Sequence, residues 1–432
     1  MYFTSTPFTG TVNQTPQATD LSRFETAAKM LGLNEQHITA LKTPVKVITV
    51  HFSMLLDSGR RQSFEGYRVI HSSLLGPSRG GIRFGTSVTI QQIKALAETM
   101  TWKSALMGLP FGGAMSGIIC DPRHLSASEM ERLTSAYTRA IQQQLQDEQY
   151  TNDNTPAQLS GELEWLLDEF SILHGKTIHA IVTGKKSPLD NLGRADATGR
   201  GVSIITLLTL EKLNLRPYEA TAAIQGFGNV GLHAASQLYD KGVKIVAISD
   251  ITAAYFNADG FNIPDLIHYV QTHNNALAGY NKGIEILHEE LLTLPVDILI
   301  PAAKEEAITE SNAAAIKASI IIEAANNPVV PAADIALHQQ ERLVVPDILA
   351  NAGGIIISYF EWLQHKLQET WDIKQVNTRL REILENCFNQ AYNTAIAKGI
   401  HLQTAVYYVA LERISAAQAV AAKTTSSLFP FN

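Results

Sequence analysis

The segment Gly226-Phe-Gly-Asn-Val-Gly231 has the glycine spacing G-x-G-x-x-G, which lets a backbone approach a pyrophosphate closely. It follows a short apolar run, Ala222 to Gln225, and precedes a stretch of helical periodicity that reaches Lys241. The start of such a helix presents N–H groups and the positive end of its dipole to an anion. The acid Asp250 closes the next apolar run. Strand, glycine turn, helix and acid therefore occur in the order that a dinucleotide site requires.

The carboxylate of Asp250 predicts which dinucleotide binds. It can accept hydrogen bonds from a ribose 2′-OH, and its negative charge repels a 2′-phosphate. We therefore expect NAD rather than NADP as the cofactor, held by Gly226, Gly228, Gly231 and Asp250. The alternative is a glycine-rich turn that only packs a helix on a sheet. It is less favoured because the strand, the helix and the acid are all present.

A second group of residues could bind carboxylates. Arg79 lies in the segment Gly76-Pro-Ser-Arg-Gly-Gly-Ile-Arg-Phe84, and Lys103 lies in Met100-Thr-Trp-Lys-Ser-Ala-Leu106. Arginine offers a planar fork that binds a carboxylate bidentately, whereas lysine acts as a point charge. Taken alone, Arg79 in a glycine-rich loop would more often be a solvated charge. A third segment, Pro110-Phe-Gly-Gly-Ala-Met-Ser-Gly117, contains Met115, whose thioether neither ionises nor donates a hydrogen bond.

The elements that carry these cations belong to a mixed α/β region. Helical periodicity runs from Ser22 to Leu33, and β-branched and aromatic residues predict strands at Val45–Val50 and Tyr67–His71. Ser126 begins a capping box ahead of a helix that reaches Ile141. This region is expected to form one domain.

Strands and helices alternate in the region that carries the glycine motif. Further buried-type strands are predicted at Val243–Ser249, Asp297–Ile300, Ser319–Ile322 and Leu343–Val345. Such alternation predicts a parallel, doubly wound sheet of the Rossmann type. After Ser358 the pattern becomes helical, with a helix capped by Asp372 and ended by Gly399, and a last helix over roughly Ala405 to Ala421.

The predicted fold class is therefore α/β with two domains. One is a mixed-sheet substrate and oligomerisation domain, and the other is a Rossmann-like, doubly wound NAD-binding domain. The expected boundaries are 1–21 for a loosely ordered arm, 22–195 for the substrate domain, 196–358 for the dinucleotide-binding domain and 359–432 for C-terminal helices that return to the substrate domain.

The composition excludes several other classes of protein. The net charge is −7 and lysines and arginines do not cluster, so no nucleic acid partner is expected. No run approaches roughly 18 apolar residues, so no membrane span is expected. Cys120 and Cys387 form neither a disulfide framework nor a zinc pair, and no signal peptide is recognisable; both observations favour the cytoplasm. The histidines lack metal-ligand spacing, so no metal is expected.

Longer motifs accompany these segments. They are Gly193-Arg-Ala-Asp-Ala-Thr-Gly-Arg-Gly-Val202 and Val345-Pro-Asp-Ile-Leu-Ala-Asn-Ala-Gly-Gly354, which leads to Ser358-Tyr-Phe-Glu-Trp362. Together with the three segments above and the glycine motif, they resemble the glutamate/leucine/phenylalanine/valine dehydrogenase family over roughly Ile48 to Leu411, and the last motif is similar to the glutamate branch. The resemblance implies conversion of L-glutamate to 2-oxoglutarate and ammonia with NAD, by a hexameric protein.

The resemblance also implies six further cofactor residues. They are Thr198 beside the nicotinamide, Asn229 and Val230 at the pyrophosphate, and Ala303, Asn326 and Asn351 along the cofactor edge. The chain departs from the family at Glu323-Ala-Ala-Asn-Asn-Pro328, where the family has Glu-Gly-Ala-Asn-Gly-Pro. Two lost glycines reduce backbone freedom beside the ribose, so weakened NAD binding is expected.

The substrate residues implied by the resemblance point to a small dicarboxylate. Lys103 matches the family lysine that holds the α-carboxylate, and Met100 of the same segment is a further candidate contact. Arg79 stands where glutamate enzymes have a lysine for the side-chain carboxylate, and Ser358 matches a serine that helps to hold it.

The catalytic positions depart from the family. Met115 stands where the family has the lysine of Gly-Gly-Ala-Lys-Gly-Gly, and Ser116 stands where the family prefers glycine. The position of the family aspartate falls on Thr155, with Asp153 as a substitute if the loop carries a small insertion. Loss of one acid or base costs on the order of 10²–10⁴ in rate.

Two classes of function therefore stay open. The first is an NAD-dependent glutamate-like dehydrogenase with strongly impaired activity. The second is a catalytically silent relative that binds NAD, a dicarboxylate or a partner subunit in a regulatory or structural role. The expected assembly is a homo-hexamer, or a hexamer mixed with an active relative.

Overall fold

The computed structural model describes residues 22–145, 158–160, 182–183 and 193–428. The described residues form two compact units, each built around one sheet. The mixed-sheet unit consists of the described parts of Leu31–Leu192, Ile355–Val376 and Ala410–Asn432. The doubly wound unit consists of the described parts of Met1–Met30, Gly193–Gly354 and Asn377–Val409. The predicted fold class is confirmed. Among these residues no helix combines the length and apolar character needed to cross a membrane.

The sheet of the mixed-sheet unit has six strands in the order β1-β2-β4-β3-β5-β6. In chain order they are β1 Lys46–Leu55, β2 Arg61–Ser72, β3 Ser78–Gly85, β4 Gly112–Ile119, β5 Gln158–Ser160 and β6 Val182–Thr183. β1, β2 and β4 pair antiparallel, whereas β4, β3, β5 and β6 pair parallel. The strands at Val45–Val50 and Tyr67–His71 were thus predicted at the correct places but too short.

Helices cover both faces of this sheet. The helix Ile90–Leu106 packs on one face, where Ile93 and Ala97 join Tyr67 and Val69 in an apolar cluster. The helix Ala127–Leu145 packs on the other face. A shorter helix spans Glu35–Lys42. The two faces differ because successive side chains of a strand point in opposite directions.

The sheet of the doubly wound unit has seven strands in the order β10-β9-β8-β7-β11-β12-β13. In chain order they are β7 Thr221–Gln225, β8 Lys244–Ser249, β9 Ala254–Phe256, β10 Ile284–Ile286, β11 Ile298–Pro301, β12 Ile320–Ile322 and β13 Leu343–Val345. Five strands are parallel, as predicted. β9 and β10 extend the sheet at one end by antiparallel pairing, with β10 at the edge, and the sequence did not reveal them. β8 and β11 lie on either side of β7, so the strand order reverses at β7.

The helices of the doubly wound unit precede, connect and follow its strands. They are Arg23–Met30, Arg194–Lys212, Asn229–Asp240, Ile263–Thr272, His288–Leu292, Glu310–Ala313, Pro331–Gln339 and Asp347–Ala350. Three more helices follow in the described chain: Gly353–Leu367, Ile373–Lys398 and Leu402–Leu428.

The ends of the helices follow local chemistry. The first helix ends at Met30 rather than near Leu33, because Gly32 has a φ of 73° and breaks the helical geometry. Asp372 caps the helix Ile373–Lys398 as predicted: its carboxylate accepts the backbone N–H of Gln375 at 2.8 Å.

Candidate active site

Arg79 lies near the start of β3 and is almost fully buried, at 3% exposure. Its Nη1 donates a hydrogen bond to the backbone carbonyl of Ser358 at 2.9 Å. The structure therefore brings together two residues that the sequence assigned to one carboxylate site, although they are 279 positions apart. The contact involves the carbonyl of Ser358.

Aromatic side chains surround this guanidinium. The central carbon of Arg79 lies 3.7 Å from the ring centroid of Phe111 and 5.7 Å from that of Trp362. Phe111 in turn packs edge-on against Tyr359 and Trp362, with centroid distances of 5.7 and 5.4 Å. Sequence reasoning missed this aromatic frame. Its members lie in the quoted motifs, but their convergence on one cation depends on tertiary packing.

Lys103 lies in the last turn of the helix Ile90–Leu106 and is only 6% exposed. A lysine this buried needs polar partners, because desolvation penalises an unpaired charge. The helix begins with a capping box formed by Thr89 and Gln92. At its other end, Arg413 Nη1 donates to the carbonyl of Ala105 at 3.0 Å, which also accepts the backbone N–H of Gly108. Met100, one turn earlier, is half-buried.

Met115 lies in the middle of β4, on the face covered by the helix Ile90–Leu106. It is half-buried and packs against the apolar cluster that contains Tyr67, Val69 and Ile93. A Cβ added to Gly117, two residues further on, would lie 2.6 Å from Ile93 Cδ1, so the helix approaches this face closely. The side chain at position 115, where the resemblance implies a lysine, thus forms part of an apolar contact.

Ser116 points away from Met115, to the opposite face of β4. It is fully buried, and its hydroxyl accepts a hydrogen bond from Arg68 Nη1 at 3.0 Å. Tyr137 lies nearby; burial raises the pKa of its phenol to about 12, although Arg68 and Ser116 act to lower it. The hydroxyl of Ser116 therefore lies on the opposite face of β4 from the side chain at position 115, because neighbouring residues of a strand lie on opposite faces.

The remaining predicted catalytic residues, Thr155 and Asp153, lie outside the described residues. Their assignments therefore stay predictions. Among the residues that the structure describes, no group of three or more His, Cys, Asp or Glu side chains has the arrangement of a metal site.

The glycine motif forms a tight turn between β7 and the helix Asn229–Asp240. Gly226 has a φ of 98°, and a Cβ there would lie 2.8 Å from Ala303 Cα. A Cβ at Gly231 would lie 1.8 Å from the carbonyl oxygen of Gly226. By contrast, a Cβ at Gly228 would meet nothing within 4 Å, and this residue precedes the helix without a capping side chain. The turn therefore fits a pyrophosphate over Gly228, with Asn229 and Val230 in the first helical turn.

Asp250 follows β8, but its carboxylate has a local structural role. Oδ1 accepts hydrogen bonds from the backbone N–H and the hydroxyl of Thr252, both at 2.6 Å, and from the N–H of Ala253 at 3.0 Å. Oδ2 accepts the N–H of Leu277 at 2.7 Å. A carboxylate has about four lone-pair sites. Oδ2 therefore has one site left for a ribose hydroxyl, which narrows the role predicted for Asp250.

Asn351 and Asn326 meet at the ends of the strands on the other side of β7. The amide nitrogen of Asn351 donates to Asn326 Oδ1 at 3.1 Å and to the carbonyls of Ala324 and Ala325 at 3.2 and 3.1 Å. Asn326 is exposed, whereas Asn351 is buried. The buried side chain of Asn351 therefore fixes the orientation of the exposed amide of Asn326.

Thr198 lies in the first part of the helix Arg194–Lys212, close to the glycines that follow Asn351. A Cβ at Gly354 would lie 2.9 Å from Thr198 Oγ1, and one at Gly353 would lie 2.0 Å from the carbonyl of Ala197. Glycine is required at position 353, because a side chain there would overlap the backbone of Ala197.

The departure of the Glu323–Pro328 segment from the family pattern affects only one strained position. Asn327, where the resemblance implies a glycine, adopts a φ of 44°, a left-handed conformation that asparagine tolerates better than most residues. Asp347 Oδ2 accepts its N–H at 2.9 Å. Ala324 is not among the residues with positive φ, so its side chain adds no backbone strain.

Comparison with known sequences identifies one family. Residues 44–171 match the Glu/Leu/Phe/Val dehydrogenase dimerisation domain, and residues 191–421 match the Glutamate/Leucine/Phenylalanine/Valine dehydrogenase domain. The chain belongs to the glutamate/leucine/phenylalanine/valine dehydrogenase family.

The similar proteins are glutamate dehydrogenases. That of Thermotoga maritima is 41% identical over 400 residues, which are 91% of this chain and 95% of that protein. The NADP-specific glutamate dehydrogenase of Synechocystis is 38% identical over 423 residues, 94% of this chain and 97% of that protein. The structure of hetero-hexameric glutamate dehydrogenase from Thermus thermophilus, in its leucine-bound form, matches with a TM-score of 0.83 at 29% identity. It covers 91% of this chain and 94% of that one.

Proposed function

We propose that this chain is a glutamate-dehydrogenase-type subunit that binds NAD and a dicarboxylate but turns over L-glutamate weakly or not at all. The observation that carries the proposal is the environment of Met115. A thioether stands at the family lysine position and packs against an apolar cluster, in a unit that otherwise retains the buried cations for the substrate.

The residues of the mixed-sheet unit fit a dicarboxylic substrate. Arg79 donates a hydrogen bond to the carbonyl of Ser358, and its planar guanidinium has the geometry that binds a carboxylate bidentately, so we assign the distal carboxylate to it. Lys103 would hold the α-carboxylate. Phe111 and Trp362 fix the orientation of the guanidinium, whose planar fork favours bidentate binding.

The chemistry that these residues lack is proton transfer. NAD, when bound, supplies the acceptor for the hydride that leaves the substrate Cα. The resulting iminium needs a base to activate water and an acid to protonate the departing ammonia. Met115 supplies neither function. Turnover is therefore expected to be at least ~10²-fold below that of a relative with the lysine.

The preference for NAD is part of the same proposal. Asp250 keeps one lone-pair site for a ribose hydroxyl, and its charge opposes a 2′-phosphate. The NADP-specific Synechocystis relative represents the alternative. Cytoplasmic localisation and the roles of Thr155 and Asp153 also belong to this proposal.

A catalytically silent subunit of a mixed hexamer is the second candidate. One observation favours it in particular: the similar Thermus thermophilus structure is described as hetero-hexameric. A subunit without turnover can be retained in such an assembly for ligand binding or for contacts. Met115 is compatible with both candidates.

NADH formation from L-glutamate, measured at high protein concentration, tests the proposal and separates the candidates. A slow, enzyme-dependent rate supports an impaired dehydrogenase. No rate, together with normal binding of NADH and 2-oxoglutarate, supports the silent subunit. Brisk turnover would refute both, and Asp153 would then be the first residue to test as the replacement base.

A further inference from the structure

Arg23, in the first described helix, connects two carboxylates of the doubly wound unit. Its Nε and Nη2 donate to the two oxygens of Asp334 at 2.5 and 2.6 Å. Its Nη1 donates to Glu323 Oε1 at 3.2 Å. The side chain of Arg23 is 14% exposed and that of Glu323 is fully buried. This is a buried ion-pair network between residues separated by 300 positions and more.

The same network reaches the segment Ala324–Asn327. Glu323 Oε2 accepts the backbone N–H of Asp347 at 2.9 Å, at the start of the helix Asp347–Ala350. Asp347 Oδ2 then accepts the N–H of Asn327. Asn351, one turn later, donates to Asn326. Each group thus positions the next, from Arg23 to the exposed amide of Asn326.

The position of this segment in the sheet relates it to one half of a dinucleotide. The glycine turn follows β7, and the acid Asp250 follows β8, on one side of β7. In a doubly wound sheet this side receives the adenosine half. Asn326 follows β12, on the other side of the point where the strand order reverses, which is the side of the nicotinamide half.

We propose that Arg23 is a positioning residue for the nicotinamide half of the dinucleotide. It acts through Glu323 and Asp347 on the exposed edge at Asn326 and Asn327. This inference rests on the proposed cofactor site. It assigns to the helix Arg23–Met30 a role in binding that none of the motifs implies.

The electrostatics agree with this role. Burial raises the pKa of Glu323, and Asp347 and Asp334 act in the same direction, whereas Arg23 opposes them. Arg23 is therefore the cation that allows three carboxylates to lie together in a buried place. Without Arg23, one oxygen of Glu323 would lose its donor and the pKa of Glu323 would rise further, so the hydrogen bond that anchors the start of the helix Asp347–Ala350 would weaken.

The test compares NADH with ADP, which lacks the nicotinamide half. Calorimetry on the full chain should show roughly tenfold weaker NADH binding for Arg23→Met, from the loss of hydrogen bonds between charged groups. ADP binding should stay within about twofold, since its site is remote from Arg23. Arg23→Lys should recover part of the NADH affinity, because an ammonium can still reach one carboxylate. The matched control is Arg123→Met, whose arginine is 82% exposed and pairs with Asp121.

The outcomes separate the inference from the proposed function. Equal losses for NADH and ADP would show that Arg23 only stabilises the fold, and unchanged NADH binding would show that it has no positioning role. Either result overturns the inference alone. If the unmodified chain binds no NADH, the proposed function and the inference both fail. Should Arg23→Met not fold, Arg23→Lys and Glu323→Gln provide the same comparison and are expected to weaken NADH selectively.

Discussion

Replacing Met115 by lysine asks whether one missing base explains the expected loss of turnover. The side chain lies on the face of β4 that the helix Ile90–Leu106 covers, and Lys103 lies on that helix. A lysine at position 115 would therefore extend from β4 on the same face as the thioether that it replaces. Ser116 presents no obstacle, because it binds Arg68 on the opposite face.

Met115→Lys has two opposing effects, a loss of stability and a gain in rate. Full burial of a methionine side chain is worth about 1.5–3 kcal/mol, so a half-buried one contributes on the order of 1 kcal/mol to the free energy of unfolding. The methylenes of lysine recover part of this loss. The apolar cluster lowers the pKa of the introduced amine by desolvation, which increases its basic fraction near neutral pH. A restored base is worth about 10²–10⁴ in rate.

The assay is glutamate-dependent NADH formation as a function of pH, with thermal unfolding of each variant. Ile119→Lys is the matched control, since Ile119 is half-buried on the same strand and packs on the same cluster as Met115. We expect Met115→Lys to give a rate that rises through the pKa of an amine. Ile119→Lys should lose similar stability and gain no rate.

The gain can require a second change, because an acid and a base act as a unit. Met115→Lys is therefore combined with Thr155→Asp, at the predicted aspartate position. If the double variant folds, binds NADH and still shows no more turnover than the unmodified chain, the missing lysine is not the reason for low activity. That result would refute the assignment of Met115.

Three further predictions follow from other residues. Arg79→Leu should abolish the rise in melting temperature that 2-oxoglutarate produces, and Arg79→Lys should restore only part of it because lysine lacks the planar fork; an unchanged shift would place the carboxylate elsewhere. Calorimetry should show tighter binding of NADH than of NADPH, and Asp250→Ser should narrow this difference in affinity. The same change should lower the melting temperature, since the carboxylate also accepts the backbone N–H of Leu277. Equal affinities of the unmodified chain for NADH and NADPH would show that Asp250 does not determine cofactor preference. Burial lowers the pKa of His71 to about 4, so as the pH falls this histidine is protonated in the unfolded chain before it is protonated in the folded one. The free energy of unfolding should therefore fall by up to about 3 kcal/mol as the pH drops from about 6.5 to about 4. A His71→Asn variant whose stability depends on acidic pH in the same way would contradict this.

The sequence alone determined the doubly wound sheet and its glycine turn. A strand, a tight turn and a helix occupy neighbouring positions in the chain, so their signals are local. The acid after β8 was found for the same reason. Its actual hydrogen bonds were not, because Leu277 comes from a different part of the chain. The antiparallel strands β9 and β10 were also missed, since each has only three residues and little periodicity.

The mixed-sheet site depended on the tertiary structure. The types of Arg79, Lys103 and Met115 could be read from the motifs, but the aromatic frame around Arg79 and the apolar surroundings of Met115 are contacts between distant segments. Alternation along β4 decided that Ser116 faces away from Met115.

The contact of Arg23 with Glu323 and Asp334 shows most clearly what the sequence alone does not predict. Nothing near Arg23 in the sequence marks it as more than a charge at the start of an amphipathic helix. Its carboxylate partners are brought to it by the packing of a helix and a strand end some 300 residues away. Local patterns determine which elements form, whereas burial and charge pairing between distant elements determine which of their residues meet.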